Sequence, residues 1–361
     1  MRELGMGVTV DGIGNTVATW PPSGERPVLI GSHIDTVATG GRFDGTLGVL
    51  AGLEVAESVI DSGMALDHPL AVAFFTNEEG SRFAPDMMGS LVYAGGLALD
   101  DALATVGIDG AVVGDELRRI GWAGSAPCPG PTPHAYVELH IEQGPVLEAE
   151  GVPIGAVTGV QGISWTEVTL RGQSNHAGTT PMSRRRDAGW AAAAMAVAVR
   201  DLATRTDGLV GTVGRLQLRP NLVNVVAAEA VLTVDLRHTD ALALAAAEAS
   251  MAEACDSIAR AENVDLTRRT LARFEPVDFD ERVISTVEEV AAALGLASRR
   301  LPSGAGHDAQ MLARRCPAGM VFVPSIGGVS HNPAELTADA DLDAGANVLL
   351  HTVLRLATTT A

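Results

Sequence analysis

Short apolar runs that end in Gly-rich or polar turns mark the first part of the chain, and they predict buried strands. VLIG at 28–31 and LAVAFFT at 70–76 lack alternation and run straight into a turn, as strands covered on both faces do. Between them, 47–60 carries apolar residues at helical spacing, so this part reads β-α-β and belongs to the α/β class. From about 163 the rhythm changes. Residues 164–171 alternate as a strand, 186–202 form an Ala-rich helical pattern, and 210–218 and 229–237 read as two more strands. A second helix over 242–261 and a last strand over 264–271 complete a β-α-β-β-α-β order. That order predicts a four-stranded sheet backed by two helices. The α/β cadence then returns, with 319–324 as a buried strand and 340–356 as a closing helix. The expected fold is α/β: a central mixed sheet flanked by helices over 1–162 and 274–361, interrupted by a smaller α+β domain over 163–273. A length of 361 residues agrees with two cores.

Composition narrows the function classes. The 25 basic residues are all arginine and face 44 acidic ones, for a formal charge of -19. Such acidity argues against nucleic-acid and anionic-membrane partners. Cys128, Cys255 and Cys316 are odd in number and form no CxxC, which fits free thiols in a reducing, cytoplasmic setting. The first residues show no signal-peptide pattern, and no run reaches the roughly 18 apolar residues of a membrane span.

The chemistry sits in the turns. GSHIDT follows the first apolar run, and Asp44 in GGRFDG comes eleven residues after His33. NEEG at 77–80, ELHIEQ at 138–143 and SHNP at 330–333 follow similar runs. Taken singly, each has a bland reading: a turn cap, a solvated acidic pair, punctuation before proline. As a set they supply the imidazoles and carboxylates that two divalent cations require, at the strand ends where open α/β sheets keep their chemistry. The residues point to a two-metal hydrolase.

GSHIDTV, GGRFDG, FTNEEGSRF, ELHIEQGPVLE, SNHAGTTPM, NLVNVV, DLRH, SGAGHDAQ and GGVSHNPAE together resemble the aminoacylase/carboxypeptidase superfamily of binuclear metallohydrolases. They are closest to its hydantoinase/carbamoylase branch of N-carbamoyl-L-amino-acid hydrolases, β-ureidopropionases and allantoate amidohydrolases. The resemblance implies that His33 and His140 hold one metal, that Glu79 and His331 hold the other, and that Asp44 bridges them. It makes Glu78 the general base, has Asp35 hydrogen-bond the other ring nitrogen of His33, and has His176 polarise the scissile carbonyl. Gln143, Asn224 and Arg237 become the clamp on a substrate carboxylate. For His176 the bland alternative is a loop histidine capping the following helix, and for Arg237 a strand-end salt bridge to Asp235 or Asp240.

Peptidase members of the superfamily usually carry an acid at the position of His140, so the histidine favours ureido over peptide substrates. The implied reaction is hydrolysis of the linear C–N bond of an N-carbamoyl amino acid, with allantoate the nearest rival and an aminoacylase or dipeptidase third. Two divalent ions per subunit are implied, zinc or manganese, with cobalt and nickel suiting the same donors. A homodimer through the inserted domain is implied as well. Such proteins usually have several tens of largely helical residues ahead of the segment that begins here near Met6.

Overall fold

The computed structural model describes residues 1–22 and 25–358. In chain order, β1 (Gly7–Val10), β2 (Thr16–Trp20) and β3 (Val28–His33) precede α1 (Thr46–Ser62) and β4 (Leu70–Phe75). Three short helices follow, α2 (Met88–Ala94), α3 (Leu99–Leu103) and α4 (Val113–Ile120), then β5 (Ala135–Ile141), α5 (Val146–Glu150) and β6 (Ile154–Val160). Next come β7 (Gly162–Arg171), α6 (Ala188–Arg205), β8 (Val210–Arg219), β9 (Glu229–His238), α7 (Ala241–Ala261) and β10 (Asp265–Phe274). The chain ends with β11 (Val277–Asp278), α8 (Glu281–Ala293), β12 (Ser298–Ser303), α9 (Asp308–Leu312), β13 (Ala318–Val323) and α10 (Asp339–Thr358).

Two compact units result, Met1–Val160 with Asp278–Ala361, and Gln161–Val277. The first is built on a mixed nine-stranded sheet in the order β1-β2-β4-β3-β5-β13-β6-β11, with β12 also pairing β6. Its centre, β4-β3-β5-β13, is parallel, and every residue of β3, β5 and β13 is buried. That is why β13 and the first four residues of β3 read as apolar runs without alternation. Helices α1, α8 and α10 pack Val55, Val59, Val287, Val348 and Val353 into the same core, each buried aliphatic side chain contributing about 1.5–3 kcal/mol. α1 stops at Gly63, whose left-handed backbone donates its N–H to the Ile60 carbonyl, a glycine C-cap.

In the second unit the sheet order is β10-β7-β9-β8, antiparallel throughout. β9 alternates buried and part-exposed residues along its whole length, the signature of a sheet with one covered face. Its Leu232, Val234 and Leu236 meet Ala191, Met195 and Val199 of α6 and Met251 of α7. Both helices open on an aspartate cap: Asp187 accepts from the Gly189 and Trp190 amides, and Asp240 from Ala243, each satisfying amides that lack an intrahelical partner.

Candidate metal centre and catalytic site

The candidate ligands of the first unit gather at the carboxyl ends of its parallel strands. His33 closes β3, Asp44 lies in the turn before α1, Glu78 and Glu79 follow β4, His140 lies near the end of β5, and His331 follows β13. Asp44 is the hub. Its Oδ1 lies 3.5 Å from His33 Nε2 and 3.3 Å from His140 Nε2, while its Oδ2 lies 3.3 Å from His331 Nε2. His331 Nε2 is also 3.4 Å from Glu79 Oε2, and His33 Nε2 is 3.5 Å from Glu78 Oε2. Two groups therefore share one carboxylate, His33–Asp44–His140 and Asp44–Glu79–His331, with ligand atoms within 4.8 Å of one another in each.

The hydrogen bonds fix which nitrogens are available. His33 Nδ1 meets the Asp35 carbonyl at 3.0 Å and His140 Nδ1 the Ile141 carbonyl at 2.9 Å. Carbonyls only accept, so each Nδ1 carries the proton and each Nε2 turns a lone pair towards Asp44. His140 Nε2 in addition accepts from the Gly45 amide at 3.2 Å. Gly45 has φ +69°, and a Cβ there would lie 2.4 Å from the His33 ring, so only glycine lets the chain pass between the two imidazoles.

Lone pairs and carboxylate oxygens facing one another at such distances call for a cation. The electrostatics agree. Burial raises the Asp44 carboxyl, but the imidazoles of His140, His33 and His331 that face it outweigh burial and hold that carboxyl well below the usual range. Burial also disfavours charge on His33, yet Glu78 foremost, with Asp44, Asp308 and Asp35, overrides it and favours positive charge there. Glu79 Oε1 is buried with no hydrogen-bond partner among the described residues. Two imidazoles plus a carboxylate, and one imidazole plus two carboxylates, are donor sets for divalent cations of the zinc and manganese kind. The residues fit the group.

Glu78 faces His33. Burial, opposed in part by the His33 imidazole, pushes its carboxyl well above the ordinary range, and Asp308, Glu138 and Glu79 push the same way. A buried carboxylate with a raised proton affinity suits a group that must take a proton and later release it.

Asp35 departs from expectation. Its carboxylate stands 3.8 Å from His33 Nδ1, and its backbone carbonyl takes that bond. The side chain instead accepts from the Glu78 and Glu79 amides at 3.1 and 3.2 Å. Two amides outcompete one ring N–H because both lie within reach of the one carboxylate, so Asp35 fixes the turn that carries the two glutamates.

Gln143 and His307, the latter expected from the sequence to support the site without being a ligand, are joined by two groups that went unread, Glu335 and Glu138. Glu335 is buried, and its Oε1 accepts from the Phe43 and Asp44 amides while its Oε2 accepts from Ser330. Gln143 donates to Asp44 Oδ2 at 3.0 Å. Glu138, also buried, accepts from Ser32 at 2.7 Å and from the Ala309 amide at 2.9 Å. His307 packs edge-on against His140 with ring centroids 4.6 Å apart, and its Nε2 meets Ser303 at 2.8 Å. Glu138, His140 and His307 form a third potential ligand group, but Glu138 and His307 already have these partners, so they back His140. The motifs containing them, ELHIEQ, SHNPAE and GHDAQ, were the available signal.

The remaining candidates lie in the second unit. His176 is exposed, and its Nδ1 accepts from the Gly178 and Thr179 amides at 3.1 and 3.3 Å. The proton is therefore left on Nε2, which becomes a donor. His176 forms an isolated bridge with Val225, next to Asn224, and the Asn224 carbonyl accepts from Ala177 at 2.9 Å. Arg237 is part-buried and forks onto Asp235 at 2.8–3.2 Å, the salt-bridge alternative.

Comparison with known proteins bears on this arrangement. The chain is 43% identical, over 99% of its length and 86% of the relative, to an N-carbamoyl-L-amino-acid amidohydrolase of Rhizobium meliloti. It is 39% identical to the allantoate amidohydrolase of Escherichia coli, over 92% of this chain and 82% of that one. The crystal structure of an amidase of the hydantoinase/carbamoylase family from Burkholderia multivorans matches with a TM-score of 0.96 at 44% identity, covering 100% of this chain and 88% of that one. Residues 29–355 match the family of peptidases M20/M25/M40, and the chain is a member of that family.

Proposed function

We propose that the protein is a two-metal amidohydrolase that cleaves the linear ureido C–N bond of N-carbamoyl-L-amino acids. The observation that carries this reading is the carboxylate of Asp44 shared between two ligand groups, with the buried Glu78 facing His33. His33, Asp44 and His140 would hold one divalent ion, and Asp44, Glu79 and His331 the second. Such an ion pair supplies Lewis acidity and a water activated near neutral pH.

The chain's own residues do the rest. Water attacks the carbamoyl carbon, and Glu78 takes its proton. The bond to the amino-acid nitrogen breaks as Glu78 returns that proton to the nitrogen, and the carbamic acid released decomposes to ammonia and carbon dioxide. The Nε2–H of His176 donates to the developing oxyanion, a contact of the kind whose loss costs about 2.7–4 kcal/mol. Arg237, Asn224 and Gln143 clamp the substrate carboxylate, Arg237 exchanging Asp235 for it. Gln143 Oε1 is buried without a hydrogen-bond partner among the described residues, so it needs a further donor.

The identities to named N-carbamoyl-L-amino-acid amidohydrolases support this substrate. Allantoate is the second reading, favoured by the 39% match to its hydrolase. The unit that carries His176 is also the one we infer to dimerise. β8 is its edge strand, with Val210 and Leu216 exposed, and Trp190 and Val197 are exposed on α6. A monomer in sedimentation equilibrium at micromolar concentration would refute the dimer. Among the described residues no helix is long and apolar enough to cross a membrane, and the three free thiols support the cytoplasm.

The test is ammonia release from N-carbamoyl-α-amino acids, N-carbamoyl-β-alanine, allantoate and N-acetyl amino acids, with E78Q as control. Turnover of the carbamoyl compounds, lowered about 10²–10⁴-fold in E78Q, is expected. Cleavage of the acetyl compounds alone would overturn the ureido assignment, and full activity in E78Q would overturn the base.

A further inference from the structure

The turn that carries His176 is held at two places. Its base is tied by backbone: the Ala177 amide donates to the Asn224 carbonyl and the Val226 amide to the Asn175 carbonyl, each at 2.9 Å. Its tip is tied by one side chain. The Arg185 guanidinium donates from Nε to the Thr180 carbonyl at 3.2 Å and from Nη2 to the Ala177 carbonyl at 2.5 Å, so one planar fork spans the turn. Arg185 is part-buried, and among the described residues no carboxylate pairs with it, whereas the adjacent Arg186 binds Asp265 at 3.1 Å. In a chain with 44 acidic residues, a guanidinium spent on two carbonyls serves the shape of the turn.

That shape decides what the imidazole does. The Gly178 and Thr179 amides donate to His176 Nδ1, while the Thr180 amide and hydroxyl donate to the His176 carbonyl at 3.2 and 2.8 Å. The two amides leave the ring proton on Nε2. The Ala177 carbonyl and the Gly178 amide belong to one planar peptide unit, so fixing that carbonyl aims that amide at Nδ1. Resting on the role given to His176 above, we propose that Arg185 is its positioning residue, keeping the imidazole in the tautomer and direction that the oxyanion needs. Lysine is no substitute, because an ammonium lacks the fork that reaches both carbonyls.

The test is kcat and KM for N-carbamoyl-L-alanine in wild type, R185A, R185K, H176A and H176A/R185A, with melting curves on each. R185A is expected to lower kcat roughly 10- to 100-fold, as for a misplaced catalytic group, and to change KM far less. In H176A the same substitution should cost nothing further, since residues that act as a unit are not additive. R185K should fall close to R185A and, combined with H176A, carries the same comparison if R185A does not fold. Wild-type kcat in R185A, or an equal loss with and without His176, overturns the proposal. Should H176A keep full activity, or wild type hydrolyse no ureido compound, the role of His176 fails and its ring nitrogens decide for Arg185. Nitrogen–proton NMR spectra of labelled histidines are recorded at about pH 9, where imidazoles are neutral. The resonance missing from H176A should show the proton on Nε2 in wild type and mixed tautomers in R185A. A tautomer unchanged in R185A refutes the positioning role.

Discussion

The two ligand groups that share Asp44 are built differently. In the inner one, the side chains of His33 and His140 are each 1% exposed and both tautomers are held by backbone carbonyls. In the outer one, the His331 side chain is 51% exposed and sits on a turn at φ +53°, with Glu79 opposite. Burial with locked tautomers pre-orients donors, so little ordering remains to be done when an ion arrives. An exposed imidazole on a turn must be ordered by the ion itself. The inner group should hold its cation tightly, and the outer group should exchange.

Replacing Asp44 breaks both groups at once and is expected to have the largest effect. In D44N the ion content should fall from two per chain to one or fewer, and hydrolysis should fall to background, read by elemental analysis and ammonia release. Retention of two ions would remove Asp44 as the shared ligand. H331A asks about the outer group alone. One ion should remain through dialysis against a mild chelator while the second is lost, whereas H140A should release the inner ion. Equal loss from both variants would erase the distinction between the groups.

How far this contrast could be read in advance depends on chain geometry. The gathering of the five candidate ligands was legible because His33, Glu79, His140 and His331 lie at or after the ends of strands of one sheet, while the role of each as a ligand came from the family resemblance. The four-stranded sheet was legible through period-two alternation in β7 and β9. β1, β2 and α2 to α5 were not, being short segments that take their form from tertiary packing, as when Ile13, Met88 and Leu117 cluster together. Nor was the task of Asp35. From sequence, a residue two positions after a histidine is within reach of its ring, and only the folded turn shows two amides competing for the same carboxylate. The exposure difference between His33 and His331 was equally hidden, since both follow buried strands.

The smallest predicted effect comes from Glu335, which touches no candidate ligand nitrogen. One carboxylate oxygen holds the Phe43 and Asp44 amides and the other holds Ser330, whose hydroxyl also lies 3.3 Å from Asp44 Oδ2. Glu335 therefore aims the bridge from behind, through backbone on one side and hydroxyl on the other. In E335Q one oxygen remains for the amides, while an NH₂ replaces the acceptor for Ser330. Supporting groups of this kind are worth about 10–100-fold in metal affinity. Because Ser330 lies beside Oδ2, the oxygen turned to His331, the loss should fall mainly on the outer ion. Competition titration with a chromophoric chelator resolves two steps, and only the weaker should move in E335Q. A shift in the tighter step of equal size would show that Glu335 sets the whole Asp44 turn, and with it that the two groups cannot be tuned apart.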